Sequence, residues 1–236
     1  MNVKEQIENE GFVILRNVIS PELLQQLQAH ASLQPPRNGQ DINNKWWHPV
    51  YGDADEYNAE YANIQWKHYW TPQIDLNAAT CVNEVATIVS PIIDEVLDNW
   101  QWWYMDYHVT NPGSDYIHAH VDTPHQFDEW TNPNNIVSLQ TLVAIDDFTI
   151  ENGATALVRK SQTDVFHNPD IADHKYDDYL KNNNTQFVAP AGSVLIYQAR
   201  VLHSTMPNNS TMPRRALILN SIKDIVVPFM KKYGRE

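Results

Sequence analysis

From Trp102 onward the chain is a succession of short β-forming runs, WWYMDYHV, NIVSLQTLVAI, ATALV, QFVA, SVLIYQ and RRALILN, punctuated by Gly, Pro, Asn and Asp. No other feature constrains the fold as much. Strands this short and this numerous cannot shield their apolar faces singly, so they must close on one another as a sandwich or a barrel. Asn152-Gly153, between two of the runs, predicts a tight hairpin, because both central positions of such a turn favour residues that tolerate positive φ. The polar stretch from Asp164 to Thr185 breaks the strand pattern and predicts a mobile lid.

Ahead of these runs the sequence reads as support. FVILRNVI is a β-rich segment, and Ser20-Pro21-Glu22 supplies an N-cap, a first-turn proline and an early acidic residue for a helix from about Pro21 to Leu33. Leu23, Leu24, Leu27 and Ala31 fall on one face of that helix, which should pack on a sheet. A second helical stretch is expected from about Leu76 to Trp100, broken or kinked at Pro91. Between the two, residues 35–72 hold Trp46, Trp47, Trp66 and Trp70 with no clear period. Such an aromatic segment either walls a pocket or is pinned to the domain by its own packing.

With 236 residues the expectation is one domain spanning 1–236, with helical support over 1–100 and a β core over about 101–225. No apolar stretch approaches the roughly 20 residues that cross a bilayer. The opening MNVKEQIENEGFVILRNV lacks a basic start followed by an apolar run, so a cytoplasmic protein is expected, with no membrane partner. The formal net charge of −13, with Lys and Arg scattered, presents a repulsive field to a phosphate backbone, so nucleic acid is not an expected partner. A highly anionic substrate would need a local basic pocket, and none is visible in the sequence. Cys81 is the only cysteine, which excludes an intrachain disulfide and a cysteine metal cage. A transition metal would have to be held by His, Asp or Glu.

Three of the ten histidines and one carboxylate fall within YIHAHVDTPH, residues 116–125. In a strand, residues two apart face the same way, so His120 and Asp122 can present an imidazole nitrogen and a carboxylate oxygen to one ion. Two histidines and one carboxylate on one face of an octahedral metal leave three positions open, the arrangement of non-haem iron(II) oxygenases. The second histidine must come from elsewhere, and His203, just after SVLIYQARVL, is the best candidate. Eleven residues further (214 − 203) stands Arg214, whose planar fork can bind a carboxylate through two parallel hydrogen bonds.

His-x-Asp, a distant His and then Arg form an ordered set, and with it the chain resembles the phytanoyl-CoA dioxygenase-like family of 2-oxoglutarate oxygenases. The resemblance runs from GFVILRNVISPELL through LVAIDDFTIENGATALV to PAGSVLIYQARVLHSTMPNNSTMPRRALILN. It implies a mainly β fold with flanking helices, a double-stranded β-helix or jelly-roll barrel of cupin-like form. It also implies that His120, Asp122 and His203 bind iron(II), that Arg214 binds the far carboxylate of 2-oxoglutarate, and that the Thr205 hydroxyl assists it. The expected reaction consumes dioxygen and 2-oxoglutarate, releases succinate and carbon dioxide, and hydroxylates an unactivated C–H bond of a small-molecule substrate. Desaturation or ring formation would need only a different placement of that substrate. Related halogenases carry a small residue where this chain has Asp122, so the resemblance disfavours halogenation.

The chain departs from the family at Arg159-Lys160-Ser161-Gln162, where the family usually reads Pro-Gly-Ser-His, so a different loop shape is expected there. His118 is expected to be structural or supporting. His-x-His is also a cupin metal pattern, but the glutamate that pattern needs is replaced by Pro124 and His125. His125 itself is expected on a loop at the pocket mouth. Arg215 faces away from Arg214 in a strand, and the family spacing selects Arg214. Asp146 and Asp147 are expected to cap or solvate a turn. Two other functions fit the sequence: a cupin-type metalloenzyme that does not use 2-oxoglutarate, and a non-catalytic jelly-roll binding module.

Overall fold

The computed structural model describes residues 2–33, 64–70, 80–122, 124–125, 130, 132, 135–164 and 174–232. Two antiparallel sheets form the frame: six strands in the order β1-β7-β4-β9-β3-β2, and three in the order β6-β5-β8. The strands of the large sheet are β1 (Phe12–Leu15), β2 (Ile64–Trp70), β3 (Trp100–Thr110), β4 (Ser138–Ala144), β7 (Val194–Gln198) and β9 (Arg214–Lys223). Those of the small sheet are β5 (Ala156–Val158), β6 (Asn184–Gln186) and β8 (His203–Ser204). The architecture is a double-stranded β-helix, and β1 and β2 bring residues from before position 100 into its larger sheet.

The helix α2 (Pro21–Leu33) has the predicted limits, and Ser20 Oγ accepts from the Leu23 N–H as its cap. A helix that the sequence reading missed, α1 (Val3–Glu10), precedes it. Asn2 and Glu5 close a capping box there, and Gly11 ends the helix at φ 88°. The third helix, α3 (Thr80–Asp94), is shorter than expected: it stops at Asp94 and Trp100 already belongs to β3. The helix runs on through Pro91 instead of breaking there, although the proline has no N–H to offer the Thr87 carbonyl.

These three helices cover one face of the large sheet. Along β9, Leu217 and Leu219 point to them, as do Met105 and Tyr107 of β3 and Val194 and Ile196 of β7; with Ile7, Leu23, Leu27, Val85 and Val89 they form a single apolar cluster. The intervening residues Ala216, Ile218, Leu142 and Leu195 face the other way and meet Leu157, Phe148 and Phe187. The period of two in each strand therefore separates a helix-covered outer face from an inner face that looks toward the small sheet.

Two expectations are corrected, and two fall largely outside the described residues. Asn152-Gly153 is no hairpin, because β4 pairs with β7 and β9 while β5 pairs with β6 and β8. Only Gly153 has positive φ; the Asn152 side chain instead accepts from the Thr149 N–H and donates to the Asp147 carbonyl, rounding a wider loop that carries the chain between sheets. QFVA is not a strand beyond Gln186: Phe187 turns into the inner core and Ala189 forms a lone bridge with Phe148. The expected lid lies outside the described residues from 165 to 173. Its remainder is a 3-10 turn (His174–Tyr176) running into α4 (Asp177–Asn183), which anchors the chain through a buried carboxylate rather than leaving it loose. The aromatic segment lies outside the described residues except for its end, 64–70, which is β2.

Candidate functional site

His120 and His203 face each other across an isolated antiparallel bridge, each backbone N–H bonded to the other's carbonyl at 3.0 Å. Asp122 follows two residues later, its N–H held by the Ala199 carbonyl at 2.8 Å. One donor atom from each of His120, Asp122 and His203 lies within 4.8 Å of the others. His120 Nε2 is 3.8 Å from Asp122 Oδ1, and His203 Nε2 is 3.5 Å from Asp122 Oδ2. The predicted trio is thus assembled by backbone pairing between two segments more than eighty residues apart.

The rings are also set in the tautomer a metal needs. His120 Nδ1 lies 2.7 Å from the His118 carbonyl and His203 Nδ1 2.9 Å from the Val201 carbonyl. A carbonyl can only accept, so Nδ1 carries the hydrogen and both Nε2 lone pairs point free toward the carboxylate. Burial and the neighbouring His203 lower the pKa of His120 to about 4, keeping it neutral near pH 7. Asp122 Oδ2 is buried without a hydrogen-bond partner. Two imidazole nitrogens and a carboxylate oxygen converging in this way are a fitting set for a divalent transition metal.

The segment carrying His120 is clamped from behind. Asp177, at the start of α4, accepts from the Ala119 N–H through Oδ1 at 2.8 Å and from His118 Nδ1 through Oδ2 at 2.8 Å. The Tyr116 hydroxyl donates to the same carboxylate at 3.1 Å. His118 is therefore a supporting residue, as expected, and its carbonyl in turn orients His120. On the facing segment the Ser204 hydroxyl bonds the Ile117 carbonyl.

Arg214 opens β9 on the inner face, opposite Thr110 of β3. Its side chain is fully buried, and its guanidinium carbon lies 4.4 Å from the centre of the Phe148 ring. Nη2 donates to Thr110 Oγ1 at 2.5 Å, while Nε and Nη1 are buried without partners among the described residues. Burial lowers its pKa to about 9, which still leaves it a cation at neutral pH. A buried cation with two unused donors is costly unless an anion arrives. Arg215 faces the helices, where its guanidinium pairs with Asp146 at 2.6 and 2.8 Å and reaches Ser32. Asp146 is thereby a structural partner, and Asp147 caps the turn at Ala191.

Thr205 is buried, its carbonyl accepting from the Ile117 N–H, in the stretch against which Gly153 is packed too closely for any side chain. The Arg159–Gln162 loop keeps a glycine-like backbone without the glycine: Lys160 sits at φ 65°. Ser161 Oγ and Gln162 Nε2 tie the loop to Leu202 and Glu8.

Three residues of the site escaped the sequence reading. His108 is buried on the inner face, where burial and then Arg214 and His120 hold its pKa well below the ordinary value, so one ring lies within the fields of both the arginine and the metal trio. The signal was present as an alternation of polar side chains, Tyr104, Asp106, His108 and Thr110, on a single face of β3. Asp177 and Arg200, buried and far from the motif in sequence, carried no such signal.

The sequence profile of phytanoyl-CoA dioxygenase matches residues 7–216. Among curated proteins none matches the sequence. The fold is similar to that of the non-heme alpha ketoglutarate dependent epimerase SnoN from nogalamycin biosynthesis, with a TM-score of 0.65 and 13% identity over 94% of this chain and 81% of that one. It is similar to HygX from Streptomyces hygroscopicus, solved with nickel, 2-oxoglutarate and hygromycin B, with a TM-score of 0.65 and 11% identity over 93% of this chain and 86% of that one. It is also similar to the carbocyclase SnoK, with a TM-score of 0.60 and 17% identity over 94% of this chain and 83% of that one.

Proposed function

The chain belongs to the phytanoyl-CoA dioxygenase family, and on that premise we propose that it is an iron(II)- and 2-oxoglutarate-dependent dioxygenase, with His120, Asp122 and His203 as the iron ligands. The reading rests above all on Arg214, a fully buried arginine with Nε and Nη1 unpartnered among the described residues, whose charge acts on the same His108 ring as that of His120. Such a fork fits the far carboxylate of 2-oxoglutarate, and Thr205 lies in the right segment to add a hydroxyl. Iron(II), 2-oxoglutarate and dioxygen together supply the oxidising power to break an unactivated C–H bond, with release of succinate and carbon dioxide.

The protein's own part is positional. The His118 and Val201 carbonyls hold the two imidazoles with Nε2 inward, Asp122 contributes the anionic ligand, and Thr110 and Phe148 fix the Arg214 fork before any cosubstrate binds. Hydroxylation of a small molecule is the outcome we propose. The neighbours named as an epimerase and a carbocyclase carry related folds to other outcomes, so the product must be read directly.

Anaerobic addition of iron(II) and 2-oxoglutarate should produce a weak visible absorption band, and admission of air should yield succinate. His120→Ala and Asp122→Ala should abolish the band, whereas Arg214→Ala should mainly weaken cosubstrate binding. Neither band nor succinate in the wild type would end the reading; a product lacking the added oxygen atom would end only the hydroxylase part of it.

A further inference from the structure

Beside the metal trio lies a second set of buried polar atoms with no partner among the described residues. Arg200 is 3% exposed; Nη2 makes one long contact, 3.4 Å, with the Asp164 carbonyl, and Nη1 is buried with no partner. His125 is 4% exposed; Nδ1 lies 2.8 Å from the Trp130 carbonyl, and Nε2 is buried with no partner. Backbone bonds bring both residues to Asp122: its N–H is held by Ala199, next to Arg200, and its carbonyl accepts from the His125 N–H at 2.9 Å. The charges of Arg200 and Asp122 both act on the His125 ring.

We propose that Arg200 and His125 anchor the primary substrate, and that this substrate is a small acid carrying a hydroxyl or N–H group near its carboxylate. The inference rests on the oxygenase reading, which assigns Arg214 to 2-oxoglutarate and so leaves Arg200 as a separate buried cation. The donor and acceptor pattern fixes the chemistry. Arg200 offers only donors, so it calls for an anionic oxygen. His125 Nδ1 must carry the hydrogen that meets the Trp130 carbonyl, so Nε2 is an acceptor and calls for an O–H or N–H.

A molecule bearing both groups would satisfy atoms that are otherwise buried unpaired at a cost. It would also solve an electrostatic problem. With a net charge of −13 the protein repels small anions at long range, so attraction has to come from a local, desolvated cation beside the metal, and Arg200 is one. A purely structural arginine would be expected to spend its donors on protein carbonyls or carboxylates, and among the described residues this one has a single stretched contact.

The test uses the chain loaded with nickel(II), which blocks turnover, and 2-oxoglutarate. Thermal shifts are read for 3-phenyllactate, N-acetylleucine and leucine, for the carboxamide of each, and for 3-phenylpropanoate, which lacks the hydroxyl. At least one acid should raise the melting temperature more than its amide, and that preference should vanish in Arg200→Met. The advantage of 3-phenyllactate over 3-phenylpropanoate should vanish in His125→Phe. Arg200→Met without any acid should melt at or above the wild-type temperature, because it removes an unpaired buried charge.

Equal shifts for acids and amides, a preference that survives Arg200→Met, or a fall of several degrees in that variant alone would each overturn the proposal. The stabilisation by 2-oxoglutarate separates the two levels of the argument. If it is present in wild type and Arg200→Met while no acid is preferred, only the anchor fails; if wild type lacks it, the oxygenase reading fails as well.

Discussion

The two faces of the large sheet are built from alternate residues of the same strands, yet they end in opposite states. On the outer face the charge is paired: Leu217 and Leu219 meet Leu27, Val85 and Val89 in an apolar cluster, Arg215 is paired with Asp146 and tied to Ser32, and the side-chain atoms buried there without partners, Thr141 Oγ1 and Gln198 Oε1, are uncharged. On the inner face Arg214 holds two donors in reserve, and Gln140 Oε1 and Asn220 Oδ1 are also buried without partners. A sheet can have its charge paired on one side and wanting a partner on the other because side chains alternate while the backbone ladder is shared. The unfinished side is where a ligand adds stability as well as chemistry.

Adjacent arginines give the sharpest way to break this contrast. Arg214→Met should abolish stabilisation by 2-oxoglutarate, with affinity falling at least about 100-fold as a bidentate charged contact is lost, and should leave the ligand-free melting temperature unchanged or higher. Arg215→Met should do the reverse, costing about 1–3 kcal/mol of stability by stranding Asp146, with cosubstrate affinity nearly intact. Equilibrium unfolding with and without 2-oxoglutarate measures both. If the two variants lose stability alike, the faces do not differ in the way described.

A smaller effect is expected from behind the metal trio. Asp177→Asn can keep its one acceptor for the Ala119 N–H only by turning its NH2 donor toward His118 Nδ1 and the Tyr116 hydroxyl, loosening the carbonyl that orients His120. Metal affinity should fall about 10- to 100-fold, as is usual when a group supporting a ligand is altered, while far-ultraviolet circular dichroism stays the same. Cobalt(II) titration reads the affinity; an unchanged value would reduce Asp177 to a loop anchor.

How much of this could be read from the sequence follows from how local each signal is. The α2 limits rest on Ser20 and Pro21, neighbours of the helix they start, and they were legible. The closeness of His120 and Asp122 was legible too, although the segment is a lone bridge at His120 and not the strand on which the period of two was argued. The missed α1 carried a capping box, Asn2-x-x-Glu5, but too short an apolar pattern to stand out. The misread hairpin turned on which strands pair, and Asn152-Gly153 looks the same whether β4 and β5 join one sheet or two. Asp177 reaches His118 across 59 residues, and Arg200 meets its environment through Asp122 and His125 from a distant segment. Long-range pairing brings these groups together, and a linear pattern of residue types does not record it.

The last effect tests whether the unfinished region weakens the fold in acid. Burial lowers the pKa of His125 from 6.5 to about 3. Between those values the unfolded chain binds a proton at this residue and the folded chain does not, so stability falls as pH falls through that window and is fully retained above it. The slope is on the order of 1 kcal/mol per pH unit. In His125→Gln that contribution disappears. Urea unfolding of both proteins without added metal, from pH 7 to pH 4.5, should therefore show the wild type losing stability more steeply than the variant, with the gap between them narrowing toward the acid end. Parallel acid limbs would mean that His125 can be protonated in place, and that the buried region around Asp122 is open enough to solvate a charge before any ligand enters.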